Sequence, residues 1–294
     1  MFEDRRGSID YDERGSGPTI VLVPGSCSTG AAWRPVIAAL GDGFRCITTS
    51  LLGYGGTSER RSADDCVMSH ELDMLGAVLR RAAVPVHLVG HSFGGLVALA
   101  FALSRRIRLA SLTILEAPLV ELLRDSNEEG RHYRAFREMT DAYFAAFAGG
   151  DAEAIRLMID FYGGRGTFDS WPQRFRAYAM ETTAVNIRDW RSAFGFPLSP
   201  AIVRSIDIPC LVAWGERSHP AARRANSLLS ASLPASTCVE IPGAAHFMIS
   251  THAHEVAGAV AHHVLQAEID GRASRGRRVP EMSKWPQIVD DRRR

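Results

Sequence analysis

Five cysteines in 294 residues, Cys27, Cys46, Cys66, Cys210 and Cys238, are too few and too scattered for a disulfide framework. None falls in a CxxC or Cys/His spacing, which excludes structural zinc on sequence grounds. Charge of neither sign dominates. The 34 basic and 33 acidic residues leave a formal net of +1, without the surplus that a general nucleic-acid grip needs. No apolar run approaches the roughly 18 residues of a membrane span. Met1 to Arg6 opens with charges where a secretory signal would carry an apolar core. The glycines at 53, 55 and 56 make no phosphate loop, because Ser58 stands where GxGxxG needs its third glycine and no P-loop lysine follows. There is no internal repeat. These absences point to a reduced, soluble, cytoplasmic protein. Oligomeric state is left open.

What is present is an alternation of strands and helices. Thr19–Val23 is a buried-strand run ending at Pro24-Gly25, and Phe44–Ser50 is another, with a helix expected over Trp33–Leu40 between them. Met68, Leu72, Leu75 and Leu79 form the stripe of an amphipathic helix. Strand Val86–Val89, a helix apolar nearly all round at Leu96–Leu103, and strand Leu109–Leu115 follow. Such alternation predicts a mostly parallel sheet covered on both faces, the α/β class. Residues 119–200 break the pattern with helical stripes and no convincing strand, and they hold 14 of the 24 aromatic residues. The alternation resumes with strands Cys210–Trp214 and Thr237–Ile241, each followed by a helix. The division expected is a core of 1–118 with 201–270, an inserted helical cap at 119–200, and a tail at 271–294. That tail carries a net of +5 and reads as a solvated, disordered end. A sharper alternative makes it an arm for an acidic partner or anionic lipid.

Gly90-His91-Ser92-Phe93-Gly94 lies between a strand and a helix. This is the context a G-x-S-x-G nucleophile elbow requires. The turn is too tight for side chains at Gly90 and Gly94. It would lift the Ser92 hydroxyl above the sheet edge and aim the Phe93 N–H, at a helix start, toward a developing oxyanion.

The chain resembles the α/β-hydrolase-fold serine hydrolases with a helical cap, over about residues 8–268. The resemblance rests on Val21-Leu22-Val23-Pro24-Gly25-Ser26, Gly53-Tyr54-Gly55-Gly56-Thr57, the elbow, Ile208 to Glu216, and Ile241-Pro242-Gly243-Ala244-Ala245-His246-Phe247. It implies Ser92 as nucleophile and His246 as its base; imidazole can take the proton of an otherwise weak hydroxyl nucleophile. It also implies an oxyanion hole from the amides of Ser26 and Phe93, with Cys27 the less favoured donor. Relatives usually have His-Gly after the early strand where this chain has Pro24-Gly25. The thiol of Cys27 beside that site is either reactive or, more commonly, buried and inert.

The acid departs from the usual pattern. Where most relatives carry Asp, two residues after Trp-Gly-Glu, this chain has Ser218, which cannot hold an imidazolium by charge. Three options stand. Glu116, after strand Leu109–Leu115, is favoured, since some relatives, notably haloalkane dehalogenases and some lipases, place their acid there. Glu216 is expected to face solvent, and the third option is a Ser–His dyad. Asp207 lies at the wrong end of its strand. His91 is expected to point away from the nucleophile, and the cluster His252, His254, His262 and His263 to form a surface face.

The resemblance implies acyl chemistry, because dehalogenases and epoxide hydrolases of this fold use Asp at the elbow. The expected function is hydrolysis of a small, mainly apolar carboxylic ester, thioester or lactone through an acyl-enzyme. Trp171, Phe175, Tyr178 and Trp190 are candidate substrate-binding residues in the cap roof. Carbon–carbon bond hydrolysis or acyl transfer on the same site is the first alternative. A non-catalytic ligand-binding protein of the same fold is the second, supported by Ser218.

Overall fold

The computed structural model describes residues 1–83, 85–124 and 130–276. Its strands are β1 (Phe2–Asp4), β2 (Gly7–Ile9), β3 (Asp12–Arg14), β4 (Thr19–Val23), β5 (Arg45–Thr48), β6 (His87–His91), β7 (Ser111–Leu115), β8 (Cys210–Gly215) and β9 (Ser236–Ile241). β3 to β9 make one seven-stranded sheet in the spatial order β3-β5-β4-β6-β7-β8-β9. Every neighbouring pair is parallel except β3 with β5. The N-terminal strands β1 to β3 were not expected. They are three residues each, mostly polar and largely outside the core, so no apolar period marks them.

The helices are α1 (Arg34–Leu40), α2 (Ser69–Ala82), α3 (Phe93–Ser104), α4 (Gly130–Ala148), α5 (Ile155–Gly163), α6 (Thr167–Ser170), α7 (Gln173–Glu181), α8 (Thr183–Gly195), α9 (Pro200–Val203), α10 (Pro220–Ser232), α11 (Met248–Thr251) and α12 (Ala253–Gly276). The period of two in each strand splits the core into two layers. Val21 and Val23 of β4 face one layer with α2, α3 and α10, while Ile20 and Leu22 face the other with α1, α11 and α12. Val256, Val260 and Val264 share one face of α12 and are fully buried in that second layer. Each fully buried Val, Leu or Ile contributes about 1.5–3 kcal/mol. Helix α3 is buried at every residue from Phe93 to Phe101, as its all-round apolar sequence requires. Helices α4 to α9 all fall between β7 and β8 in the chain.

Helix α12 runs through Gly276, six residues into the segment read as a tail, with Arg272 reaching Glu268 at 3.8 Å one turn back. The remainder of that segment lies outside the described residues. Among those described, no helix is long and apolar enough to cross a membrane.

Sheet register positions the site. Leu115 of β7 pairs with His91 of β6 and with Ala213 of β8. β6 and β7 therefore end level, while β8 runs two residues further to Gly215, so Ser92 and Glu116 emerge side by side against the end of β8. Backbone bonds extend the ladder one step past the strands: Ser92 N–H donates to Leu115 O at 2.9 Å, and Glu116 N–H to Ala213 O at 2.8 Å.

Candidate active site

Ser92 sits between β6 and α3 with φ 54° and ψ −130°, a strained conformation for a residue with a side chain. A Cβ on Gly90 would lie 2.3 Å from Gly94 O, and one on Gly94 would lie 2.2 Å from Pro24 O. Both contacts are with backbone, so only glycine fits at either position. Phe93 opens α3, and its N–H is one of the first-turn donors that have no intrahelical acceptor.

His246 follows β9 and a turn through Gly243. Its Nε2 lies 2.9 Å from Ser92 Oγ and its Nδ1 lies 2.8 Å from Glu116 Oε1. With Glu116 ionised, Nδ1–H donates to the carboxylate, which leaves Nε2 free to accept the serine proton. Glu116 is fully buried, and its φ of 48° is another left-handed backbone at a non-glycine residue. The second oxygen, Oε2, accepts from Gly215 N–H at 3.1 Å and from the Ser218 hydroxyl. Three donors thus satisfy a carboxylate that would be costly to bury alone. Ser218 stands where relatives carry their acid, and here it supports the carboxylate supplied from the neighbouring strand. Glu216 is exposed and accepts from Gly243 N–H at 2.7 Å, so it steadies the turn before His246.

Tyr162 of α5 stacks on the His246 ring at 4.0 Å between centroids and 25° between planes. It is buried, its hydroxyl has no hydrogen-bond partner among the described residues, and burial with the nearby Glu116 raises its pKa well above the ordinary phenol value. The stacked ring shields one face of the imidazole from water.

A cavity of about 700 Å³ opens over Ser92 and His246, between the loops at the sheet edge and helices α5 to α8. That volume lies in the range of small-molecule sites. Its wall is mostly apolar and includes Phe93, Met158, Tyr162 and Phe247. Trp171, Phe175 and Trp190 line it as well, with Phe175 half exposed at 50% and Trp190 buried.

A family model described as the alpha/beta hydrolase fold matches residues 18–253. The chain belongs to the α/β-hydrolase fold family. Haloalkane dehalogenase 2 of Mycobacterium tuberculosis is 31% identical over 114 residues, a stretch that spans 38% of this chain and 40% of that protein. The pimeloyl-[acyl-carrier protein] methyl ester esterase of Aeromonas hydrophila is 25% identical over 87% of this chain and 99% of its own. A thermophilic esterase from Thermogutta terrifontis superimposes with a TM-score of 0.71 at 22% identity, covering 88% of this chain and 93% of that one. The mostly parallel sheet flanked by helices is the fold that the sequence led us to expect.

Three expectations drawn from the sequence need correction. Tyr178 is not among the cavity-lining residues. Its hydroxyl accepts from Gly55 N–H at 2.9 Å and ties α7 to a loop of the sheet edge. His263 is not on a surface face but buried, and burial with His87 nearby pushes its pKa down to about 4. His91 does not turn away from the site. Its ring centroid is 4.9 Å from that of His246, and its Nε2–H donates to His246 O at 2.8 Å. Cys27 lines the cavity, and burial, with Asp189 adding to it, pushes its thiol up to about 12, which favours the inert reading. Ser26 and Phe93 line the cavity beside Ser92. The sequence reading missed Tyr162, Asp189 and Arg61. A lone acid at 189 amid Ile187, Trp190 and Ala193 was the one available signal, the single ionisable residue among the buried positions of α8.

His91 makes a pH-dependent contribution to stability. Burial, and then the neighbouring His246, push its pKa down from 6.5 to about 3. Between those values the unfolded chain takes up a proton that the folded chain does not. The stabilisation is therefore complete above pH 6.5 and is lost as pH falls toward 3. At about 1.4 kcal/mol per unit, the loss reaches a few kcal/mol by pH 4. Urea midpoints measured from pH 7 to 4 are expected to fall, and less steeply in His91→Gln, whose amide can still donate. Equal slopes in the two proteins would refute this account.

Proposed function

We propose that the protein hydrolyses a small, mainly apolar carboxylic ester, thioester or lactone through an acyl-enzyme on Ser92. The observation that carries the reading is the hydrogen-bonded line Ser92–His246–Glu116 opening into an apolar cavity. Ser92 Oγ attacks the carbonyl carbon while His246 Nε2 takes its proton. Glu116 holds the imidazole in the required tautomer and stabilises the imidazolium. The amides of Ser26 and Phe93 meet the oxyanion. His246 then returns the proton to the leaving alcohol or thiol, and water attacks the acyl-enzyme by the same route. Residues 119–200 act as a cap on a core of 1–118 and 201–270, with Trp171, Phe175 and Trp190 touching substrate. No cofactor takes part in this scheme, and the free cysteines suit a reducing, cytoplasmic setting.

The esterase relative agrees with this reading, while the dehalogenase likeness is not carried to the reaction, because the elbow here presents Ser92. The case for a non-catalytic binding protein rested on Ser218, and Glu116 within 2.8 Å of His246 removes that support. A panel of p-nitrophenyl esters from acetate to palmitate, with thioesters and lactones, tests the proposal. Turnover that falls off at the longest chains, and is absent in Ser92→Ala, is expected from a cavity of about 700 Å³. Silence on all three classes, with cleavage of a vinylogous 1,5-diketone, would replace it with carbon–carbon hydrolysis.

A further inference from the structure

No step of the reaction above uses Asp189, yet its carboxylate is buried to 1% exposure at the cavity wall. Oδ2 accepts from the Ser26 hydroxyl at 2.5 Å and from the Tyr54 hydroxyl at 2.6 Å, and Oδ1 accepts from the Arg61 guanidinium at 2.7 Å. Arg61 is itself buried and ion-paired with Glu59 at 2.9 Å and Glu71 at 3.2 Å. It also donates to Leu52 O at 3.0 Å. The acid comes from α8, whereas Ser26 follows β4 and Tyr54 and Arg61 follow β5. Removing one member would leave buried polar groups without partners, so the network holds its shape as a unit.

Ser26 is the residue whose amide the reaction needs. The next residue, Cys27, has φ 56°. Non-glycine residues persist in that region only where the surroundings hold them. The loop is therefore strained next to the donor and tethered at the donor's own side chain. We infer that Asp189 is a positioning residue for the hydrolysis: through the Ser26 hydroxyl it holds the loop so that the Ser26 N–H meets the developing oxyanion. The inference rests on the serine-hydrolase reading above. Arg61 completes the device, because its guanidinium donates to Asp189 Oδ1 and so fixes the carboxylate that holds the Ser26 hydroxyl. Since α8 delivers the acid, the oxyanion loop is fixed only when that helix is docked on the sheet edge.

The test compares Ser26→Ala, Ser26→Thr, Asp189→Asn and the double variant Ser26→Ala/Asp189→Asn. Each is checked by circular dichroism and melting, then assayed for kcat, KM and inhibition by an alkyl boronic acid. Ser26→Ala keeps the amide and removes only the tether. It is expected to lower kcat about 10- to 100-fold, less than or equal to the about 10²–10³ of a lost oxyanion donor. KM should stay within about threefold, and the boronic acid should weaken in parallel with kcat/KM. Ser26→Thr, which keeps a hydroxyl, should recover part of the loss. The double variant should be no worse than the poorer single one, because both cut the same link. Should Asp189→Asn fail to fold, the alanine and threonine variants decide the matter alone. Wild-type kcat in Ser26→Ala, or losses that multiply in the double variant, would overturn the inference. Failure of the underlying reading would show instead in the wild type, as no Ser92-dependent turnover at all.

Discussion

Ser92→Ala is expected to fold like the wild type and to lose about 10⁴- to 10⁶-fold in kcat on any ester that the wild type turns over. The Ser92 hydroxyl meets His246 Nε2, a nitrogen at the wall of the cavity, so its removal leaves no polar group stranded in the core. Alanine is no more strained than serine at φ 54°. Stability should therefore change little while the nucleophile is gone. A fluorophosphonate gives an independent reading. Peptide mass spectrometry should find the adduct on Ser92 in the wild type and no adduct at that position in the variant. Retained turnover in a variant free of wild-type contamination would exclude Ser92 as nucleophile. If the wild type resists the fluorophosphonate, a smaller sulfonyl fluoride separates an unreactive serine from one that the helices above it screen.

How much of this could be read in the sequence depended on the range of each interaction. The elbow was legible because its constraints are local: a strand, five residues and a helix contain both glycines, and the clashes that demand them lie within the turn or against Pro24. The core strands were legible because β4, β6 and β7 are buried on both faces and carry short runs rich in Val, Ile, Leu and Thr. Strands β1 to β3 were not, because short polar edge segments carry no period. Glu116 stood out as an acid at the end of a buried strand, but the role of Ser218 depended on a register between β7 and β8 that no local pattern states. Tyr178 was placed in the roof because residues 119–200 are rich in aromatics, and that richness does not tell what each ring meets; Gly55 N–H turned out to be the partner of its hydroxyl. Asp189 and Arg61 lie 128 residues apart and are joined only by the way α8 comes down on the sheet edge.

The acid provides the second large effect. Glu116→Gln preserves size but cannot carry the negative charge that favours an imidazolium, and its amide can turn an N–H toward His246 Nδ1 and favour the wrong tautomer. A fall in kcat of about 10³- to 10⁴-fold is expected, with KM little changed. Near-wild-type turnover in a folded Glu116→Gln would remove Glu116 from the mechanism, and Glu216→Gln would then decide between the other carboxylate and a dyad. Glu216 caps an exposed turn, so that second substitution is expected to cost less than about tenfold in kcat, as for a surface contact. The geometry also permits a transplant. Ser218 Oγ already touches one oxygen of the carboxylate whose other oxygen holds His246. An acid at 218 therefore starts within one carboxylate width of the imidazole. The double change Glu116→Asn/Ser218→Asp puts the charge after β8, and asparagine tolerates the left-handed backbone at 116. This double variant should recover at least about tenfold in kcat over Glu116→Asn alone, because the imidazolium needs a nearby buried anion more than it needs one from a particular strand. No recovery, in a protein that folds, would mean that the Gly215 and Ser218 donors around Glu116 set a geometry that an acid on the next strand cannot reproduce.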